Sequence, residues 1–341
     1  MTGVTGFLGS HVAQDLLTAG HDVVALARRP EALDPDLAPW TEPARSGGGT
    51  FAAGAGAGRL HLVRGHLSDL DAIREGTREA DAIVHVAGLI QARSEAEFLR
   101  VNRDGAAAVA AAARGRAGAL CRFVLVSSQA AGGPSRDGRP VKGEDPPRPV
   151  SAYGRSKRAG EEAVLATSRE VPVTILRPPV IFGPRDSMLR LFFRSVTRGT
   201  MLVWRAGRNR FSLSYAPDVA RAATLALTAD HPSGSILYTS FDRDFDWRGL
   251  AHALAATIGR SVHVVPVPAL AFAAAAAAAT AASAVSGRPP LLSFDKLKEL
   301  REPYWLCSNE DARRLLRWAP ELSVERALAA THAWYLSRGL L

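Results

Sequence analysis

Residues 2–9 read Thr2-Gly3-Val4-Thr5-Gly6-Phe7-Leu8-Gly9, with a glycine at every third position. Glycines so placed let the backbone turn tightly, approach a phosphate and pack a helix closely on a strand. Ser10 to Ala19 then shows helical spacing, with Val12, Leu16 and Leu17 on one face and Gly20 as its stop. The N-terminus of such a helix offers unpaired N–H groups and the positive end of a macrodipole, which suits an anion. The strand Asp22-Val23-Val24-Ala25-Leu26 follows, completing half of a βαβ unit. The expected fold class is α/β, a doubly wound parallel sheet carrying a dinucleotide pyrophosphate on the glycine turn.

In such a sheet the turn follows a central strand, and Met1 stands where the last residue of that strand belongs. The first β-strand is therefore expected to be missing from the chain. Unpaired N–H and C=O groups on both neighbours would each cost roughly 1 to 3 kcal/mol. We expect the native chain to begin about one strand length upstream, roughly six to ten residues.

Tyr153 and Lys157 stand four apart in Ser151-Ala152-Tyr153-Gly154-Arg155-Ser156-Lys157. On a helix these positions share a face, so a phenol and an ammonium point into one cleft. A neighbouring positive charge favours phenolate, moving the Tyr pKa from about 10 toward working pH, where a general acid/base is most effective. A solvated helix face would show the same spacing. What singles out the pair is order: the glycine turn, then Phe123-Val124-Leu125-Val126-Ser127-Ser128, then Tyr153 and Lys157, then Leu176-Arg177-Pro178-Pro179-Val180-Ile181-Phe182-Gly183-Pro184.

In this order the motifs resemble the extended short-chain dehydrogenase/reductase family, of the NAD-dependent epimerase/dehydratase type. The resemblance runs from Thr2 to Trp334-Tyr335-Leu336-Ser337-Arg338-Gly339. The segment Gly207-Arg208-Asn209-Arg210-Phe211-Ser212-Leu213-Ser214-Tyr215-Ala216-Pro217-Asp218-Val219-Ala220 looks closer to the 3β-hydroxysteroid dehydrogenase-like branch. It implies a Rossmann domain over 1–178, rejoined at about 212–242, and a substrate lobe from 179–211 and 243–341. Gly3, Thr5, Gly6, Phe7, Leu8 and Gly9 would surround the pyrophosphate. Ala87 and Gly88, closing the apolar strand Asp81-Ala82-Ile83-Val84-His85-Val86, would pass under the ribose and nicotinamide, with Pro179 and Val180 beside the ring.

The resemblance also selects Ser128 over Ser127 to bind the substrate oxygen; alternation along a strand allows only one of them to face the cleft. It gives Lys157 the nicotinamide ribose as well as the phenol, and Asn102 a supporting role in helix geometry and proton relay. His66 and Leu67 fall at the adenine, where similar enzymes carry Asp in place of His66. That departure puts the adenine contact in doubt, and Asp69 reads as a helix cap. His85 lacks a second ligand at metal-binding spacing. No Gly-x-Ser-x-Gly elbow surrounds Ser128, which argues against a hydrolase.

NAD-preferring enzymes of this fold place a carboxylate after the second strand. Here Arg28 and Arg29 stand there, and guanidinium groups match a phosphate, so NADP is preferred. Asp34 or Asp36 swinging inward would keep NAD open. The expected activity is interconversion of a secondary alcohol and a ketone on a small hydroxyl or carbonyl substrate. Transient oxidation in an epimerase or dehydratase, and a cofactor-sensing binding protein, are the alternatives. Arg208 or Arg210 would serve an anionic substrate, although a surface loop is the default.

The chain has 341 residues, 47% of them hydrophobic, enough for a sizeable core. The net charge of +9 rests on scattered arginines with four lysines, Lys142, Lys157, Lys296 and Lys298, a distribution unlike a nucleic-acid surface. Cys121 and Cys307 form no disulfide framework, and a cytoplasmic setting is expected. A homodimer is common in similar enzymes. Residues 35–58, rich in Gly, Ala, Pro and Ser, read as a flexible insertion. The uncharged, alanine-dominated run from Pro268 to Val285 reads as a helix packed in the substrate lobe in preference to a membrane contact, with an apolar entry for a lipid-like substrate as a third reading.

Overall fold

The order of the strands decides where a ligand can sit. The computed structural model describes residues 1–41, 58–204, 209–287, 289–290 and 293–341. The first half runs α1 (Phe7–Thr18), β1 (Val23–Ala27), β2 (Leu60–Arg64), α2 (Leu70–Thr77), β3 (Ala82–His85), α3 (Glu95–Leu99), α4 (Gly105–Arg114), β4 (Arg122–Val126), α5 (Gln129–Gly132), α6 (Ala152–Leu165) and β5 (Val173–Leu176). Then come β6 (Val180–Phe182), α7 (Ser187–Thr197), β7 (Thr200–Trp204), β8 (Arg210–Tyr215), α8 (Ala216–Thr228), β9 (Ser235–Leu237), β10 (Asp244–Phe245), α9 (Trp247–Thr257), β11 (His263–Val267), α10 (Ala269–Ser286), α11 (Phe294–Arg301), β12 (Tyr304–Trp305), α12 (Glu310–Leu316) and α13 (Val324–Ser337).

β3, β4, β5 and β9 pair in that order, all parallel, and β1 pairs with β2. Thr2 joins the two groups, bridging to Leu26 on one side and His85 on the other. Met1 O accepts from Leu26 N at 2.9 Å and Thr2 N donates to Val84 O at 3.0 Å, so two residues stand in the central strand position. Parallel strands covered on both faces read as continuous apolar runs. Val124 and Leu176 belong to the core on one side of the sheet, with Val12, Leu17 and Ala223. Phe123 and Ile175 belong to the other, with Ala106 and Val109.

A further core gathers Phe193, Leu213, Phe245, Leu254 and Leu328. A small sheet centres on β8, flanked by β6, β10 and β12, while β7 pairs with β11. Glycine-rich residues 42–57 and Arg208 lie outside the described residues. The expected insertion does not begin at Pro35, however. Asp34 caps a 3-10 turn over Pro35–Trp40 by accepting from Asp36 N, and Leu37 in that turn is fully buried among Leu17 and its neighbours.

The alanine segment forms a helix, but its packing departs from expectation. In α10 the buried residues are Ala276 and Ser283, with Phe272, Ala273 and Ala279 half-buried, and the rest of the described positions are exposed. Methyl side chains give an α-helix its backbone stability without the bulk to fill a groove on several sides. No helix among the described residues is long and apolar enough to cross a membrane.

Candidate active site

The glycine turn is tightly closed. Gly3 has φ +85°, and Gly6 N donates to Gly3 O at 2.9 Å. A Cβ on Gly9 would lie 1.9 Å from Gly3 O, and one on Gly3 would lie 2.7 Å from Ala87 N. Only glycines permit this approach of α1 to the turn and of the turn to the end of β3. Gly6 caps α1 without a side-chain hydrogen bond, which leaves the first-turn N–H groups for an anion. Thr5 and Gly6 face outward, Phe7 packs edge-on against His11, and Leu8 packs into the core. A dinucleotide pyrophosphate fits this cradle.

At the carboxyl end of β4 the two serines diverge. Ser127 donates to the buried Glu161 at 2.6 Å. Ser128 caps α5 and hydrogen-bonds the Tyr153 phenol. Asn102 is buried in a π-helical turn, Arg100–Asp104, that joins α3 to α4. A single wide turn re-aims one side chain without ending the helix. Its amide clamps Leu89 from both sides: Oδ1 accepts from Leu89 N at 2.7 Å and Nδ2 donates to Leu89 O at 3.0 Å. Nδ2 also donates to Ser156 Oγ, which donates to Tyr153 O at 2.7 Å. A Cβ on Gly88 would sit 3.0 Å from Asn102 Oδ1 and 3.5 Å from Lys157 Nζ, so both groups converge on this glycine. Pro179 is buried and Val180 is 57% exposed, at the entry to β6.

The direction of the Tyr153 shift is opposite to expectation. Burial pushes the phenol up to about 12; the Ser128 hydrogen bond opposes this, and the charge of Glu299 adds to it. Lys157 donates to Val126 O at 2.9 Å, and burial lowers its pKa to about 8 against the pull of Glu161. The Lys157 ammonium is not among the groups that move the phenol; desolvation, with Glu299, sets the direction.

Several groups of the site were not read from the sequence. Glu161, one turn beyond Lys157, is fully buried against Arg177, whose guanidinium donates to it at 2.7 and 2.8 Å and to Tyr238 Oη at 3.1 Å. Its i+4 relation to Lys157 was a usable signal. Asp295 and Glu299 reach from α11 to the start of α6: Ala152 N donates to Asp295, and Ser151 Oγ donates to Glu299 at 2.6 Å. No local pattern announces a contact across 148 residues.

Arg28 and Arg29 are exposed; Arg29 O accepts from Ala32 N at 3.0 Å, and the Arg29 charge helps to lower the pKa of Glu31. Asp34 and Asp36 are both engaged by Arg185, at 2.7 and 2.9 Å, and Asp36 also by Arg338. They do not swing inward. Arg210, offered for an anionic substrate, pairs with Asp244 at 2.5 Å. His66 turns onto Ser68 Oγ at 2.7 Å, Leu67 packs where a side chain on Gly105 would stand, and Asp69 caps α2. His85 is a buried, neutral partner of Thr2 Oγ1 at 2.7 Å, its pKa lowered by burial to about 3.

The family model for the NAD dependent epimerase/dehydratase family matches residues 1–237. The chain belongs to this family. It is an NAD(P)-dependent oxidoreductase of the extended short-chain type, interconverting a secondary alcohol and a ketone. It is 32% identical over 310 residues to a ceramide reductase of Caulobacter vibrioides, covering 91% of this chain and 86% of that protein. A 2-alkyl-3-oxoalkanoate reductase of Stenotrophomonas maltophilia is 28% identical over 348 residues, covering 96% of each. The solved UDP-glucose 4-epimerase of Thermotoga maritima has the same fold, with a TM-score of 0.75 at 19% identity, covering 99% of this chain and 98% of that one.

Proposed function

We propose that the enzyme reduces a ketone borne on a long hydrocarbon chain, with Tyr153 as proton donor. The observation that carries this reading is the convergence of Ser128, Tyr153, Asn102 and Lys157 at the carboxyl ends of β3 and β4. When bound, the dinucleotide supplies the hydride. Ser128 Oγ hydrogen-bonds the carbonyl oxygen, and the Tyr153 phenol gives that oxygen its proton as negative charge develops. A phenol kept protonated by burial suits reduction, because the acid must hold its proton until that moment. Lys157, one N–H spent on Val126 O, keeps two donors for ribose hydroxyls. Ile90 and Val180, 75% and 57% exposed beside the crevice, provide apolar surface for an alkyl chain. The names of the two reductases above, both denoting lipid-like substrates, support the substrate class. The reading includes a homodimer working in the cytoplasm.

Lys157 sets the expected pH profile. It is charged below about 8 and loses its proton as pH rises through that value, whereas Tyr153 stays protonated across the window. The kcat/KM for ketone reduction should therefore fall above about pH 8 with the slope of one proton. A profile that climbs through the same range would contradict the assignment.

Arg28 and Arg29 are assigned to the 2′-phosphate of NADP. Replacing both with Ala should raise KM for NADPH at least about tenfold, the loss of one charge-assisted hydrogen bond, and leave KM for NADH nearly unchanged. Equal loss for both coenzymes in a steady-state assay would sink the preference.

A further inference from the structure

The helix that carries Tyr153 and Lys157 is capped from outside its own stretch of chain. The first turn of α6 holds no acidic residue, although the positive end of a helix dipole favours one. Two carboxylates from α11 stand there instead. Ala152 N, the first amide of α6, donates to both oxygens of Asp295, at 3.0 and 2.8 Å. Ser151 caps the helix by accepting from Gly154 N at 2.9 Å, and its hydroxyl has one hydrogen bond left to donate. That bond goes to Glu299 Oε1 at 2.6 Å. Ser151 is 1% and Glu299 8% exposed, so the bond is shielded from water.

α11 is itself fixed. Ser293 caps it by accepting from Lys296 N at 3.1 Å, Lys296 Nζ pairs with Glu299 Oε2 at 2.5 Å, and Trp305 Nε1 donates to Glu299 O at 2.9 Å. Tyr304 and Trp305 form β12, which pairs with β8, and Tyr304 O accepts from Ser135 N, just beyond α5, at 2.9 Å. One segment, 294–305, thus holds both the start of the Tyr153 helix and the loop that follows the helix capped by Ser128.

We propose that Glu299, with Asp295 beside it, is a positioning residue for the reaction, clamping the first turn of α6 so that the Tyr153 phenol stays on Ser128. This role rests on Tyr153 being the proton donor, as proposed above. Tyr153 is the second residue of α6 and moves with that turn. Lys157 lies one turn deeper and is anchored on Val126 O, so it does not depend on the clamp. Loss of the clamp therefore acts on proton transfer and spares coenzyme binding. A brace that merely stabilised the fold would show no such division.

The test compares full-length wild type, Glu299→Leu and Glu299→Gln in the NADPH-dependent reduction of methyl nonyl ketone. Glu299→Leu should lower kcat at least about tenfold, since a misplacement of about 1 Å can cost about 10²-fold, with KM for NADPH within about twofold of wild type. Glu299→Gln keeps an oxygen that accepts from Ser151 and should restore most of the rate. Ser151→Ala removes the other partner and should show the same split, and adding Glu299→Leu to it should lower kcat little further. Ser151→Ala decides the matter should Glu299→Leu fail to fold. Wild-type kcat in Glu299→Leu or Ser151→Ala would overturn the proposal. So would a KM for NADPH that rises as much as kcat falls, or a Glu299→Gln variant as slow as Glu299→Leu. Tyr153→Phe, run in parallel, separates the two readings. A normal rate there removes the proposed reaction and the clamp with it, whereas a slow Tyr153→Phe beside a normal Glu299→Leu refutes the clamp alone.

Discussion

Tyr153→Phe is expected to lower kcat for ketone reduction by about 10²- to 10⁴-fold, the usual contribution of a positioned general acid. The substitution removes one hydroxyl. Its ring would keep the packing against Phe98, whose centroid lies 5.8 Å away, and Ser156 would still bond the backbone carbonyl of residue 153. NADPH affinity should therefore change little, because the phosphate cradle and Lys157 are untouched. Fluorescence titration of the coenzyme and a turnover assay on the same preparation separate the two effects. A variant that binds NADPH normally and turns over at the wild-type rate would remove Tyr153 from the chemistry.

Arg177→Met should destabilise the fold by about 3 to 5 kcal/mol, because it leaves the Glu161 carboxylate buried without its partner. The site is severe: Arg177 is 1% exposed and Glu161 0%. Ser127 would remain the neutral donor, at 2.6 Å, and Arg158 would lie nearby at 3.3 Å, neither replacing a bidentate guanidinium. For a chain of this size the loss corresponds to a fall in Tm of roughly 10 °C. The double variant Arg177→Met, Glu161→Leu should recover most of it, since exchanging a whole buried pair for apolar groups is often neutral. Thermal unfolding of the two proteins followed by circular dichroism checks both statements. Equal Tm values for wild type and Arg177→Met would show that the pair is not the determinant claimed.

What could be read from the sequence was what short-range spacing encodes. Glycines at positions 3, 6 and 9 dictate a turn geometry, and the tight turn is where that spacing puts it. Alternation allowed only one of Ser127 and Ser128 to face the cleft, and Ser127 turns to Glu161, while Asp69 reads as a cap three residues before the amide it bonds. What escaped depends on distant partners. Asp34 and Asp36 looked free to approach a ribose, but Arg185, about 150 residues later, holds both. Glu299 lies 148 residues from the serine it binds and acts on the phenol electrostatically. The Tyr153 shift went the other way because spacing reports a neighbouring charge, whereas burial is decided by the assembled crevice. Composition announced α10 as a helix, yet could not say which arc another element would cover.

The reaction itself divides the two chemistries that this family's residues can perform. Net reduction consumes coenzyme, whereas transient oxidation returns it, so stoichiometry discriminates where residue identity does not. The decisive measurement is the absorbance of reduced nicotinamide when wild-type enzyme and NADPH are mixed with a long-chain ketone, with the product quantified in the same sample. One coenzyme oxidised for each alcohol formed is the predicted result. Substrate converted with no net change in reduced coenzyme would contradict the account.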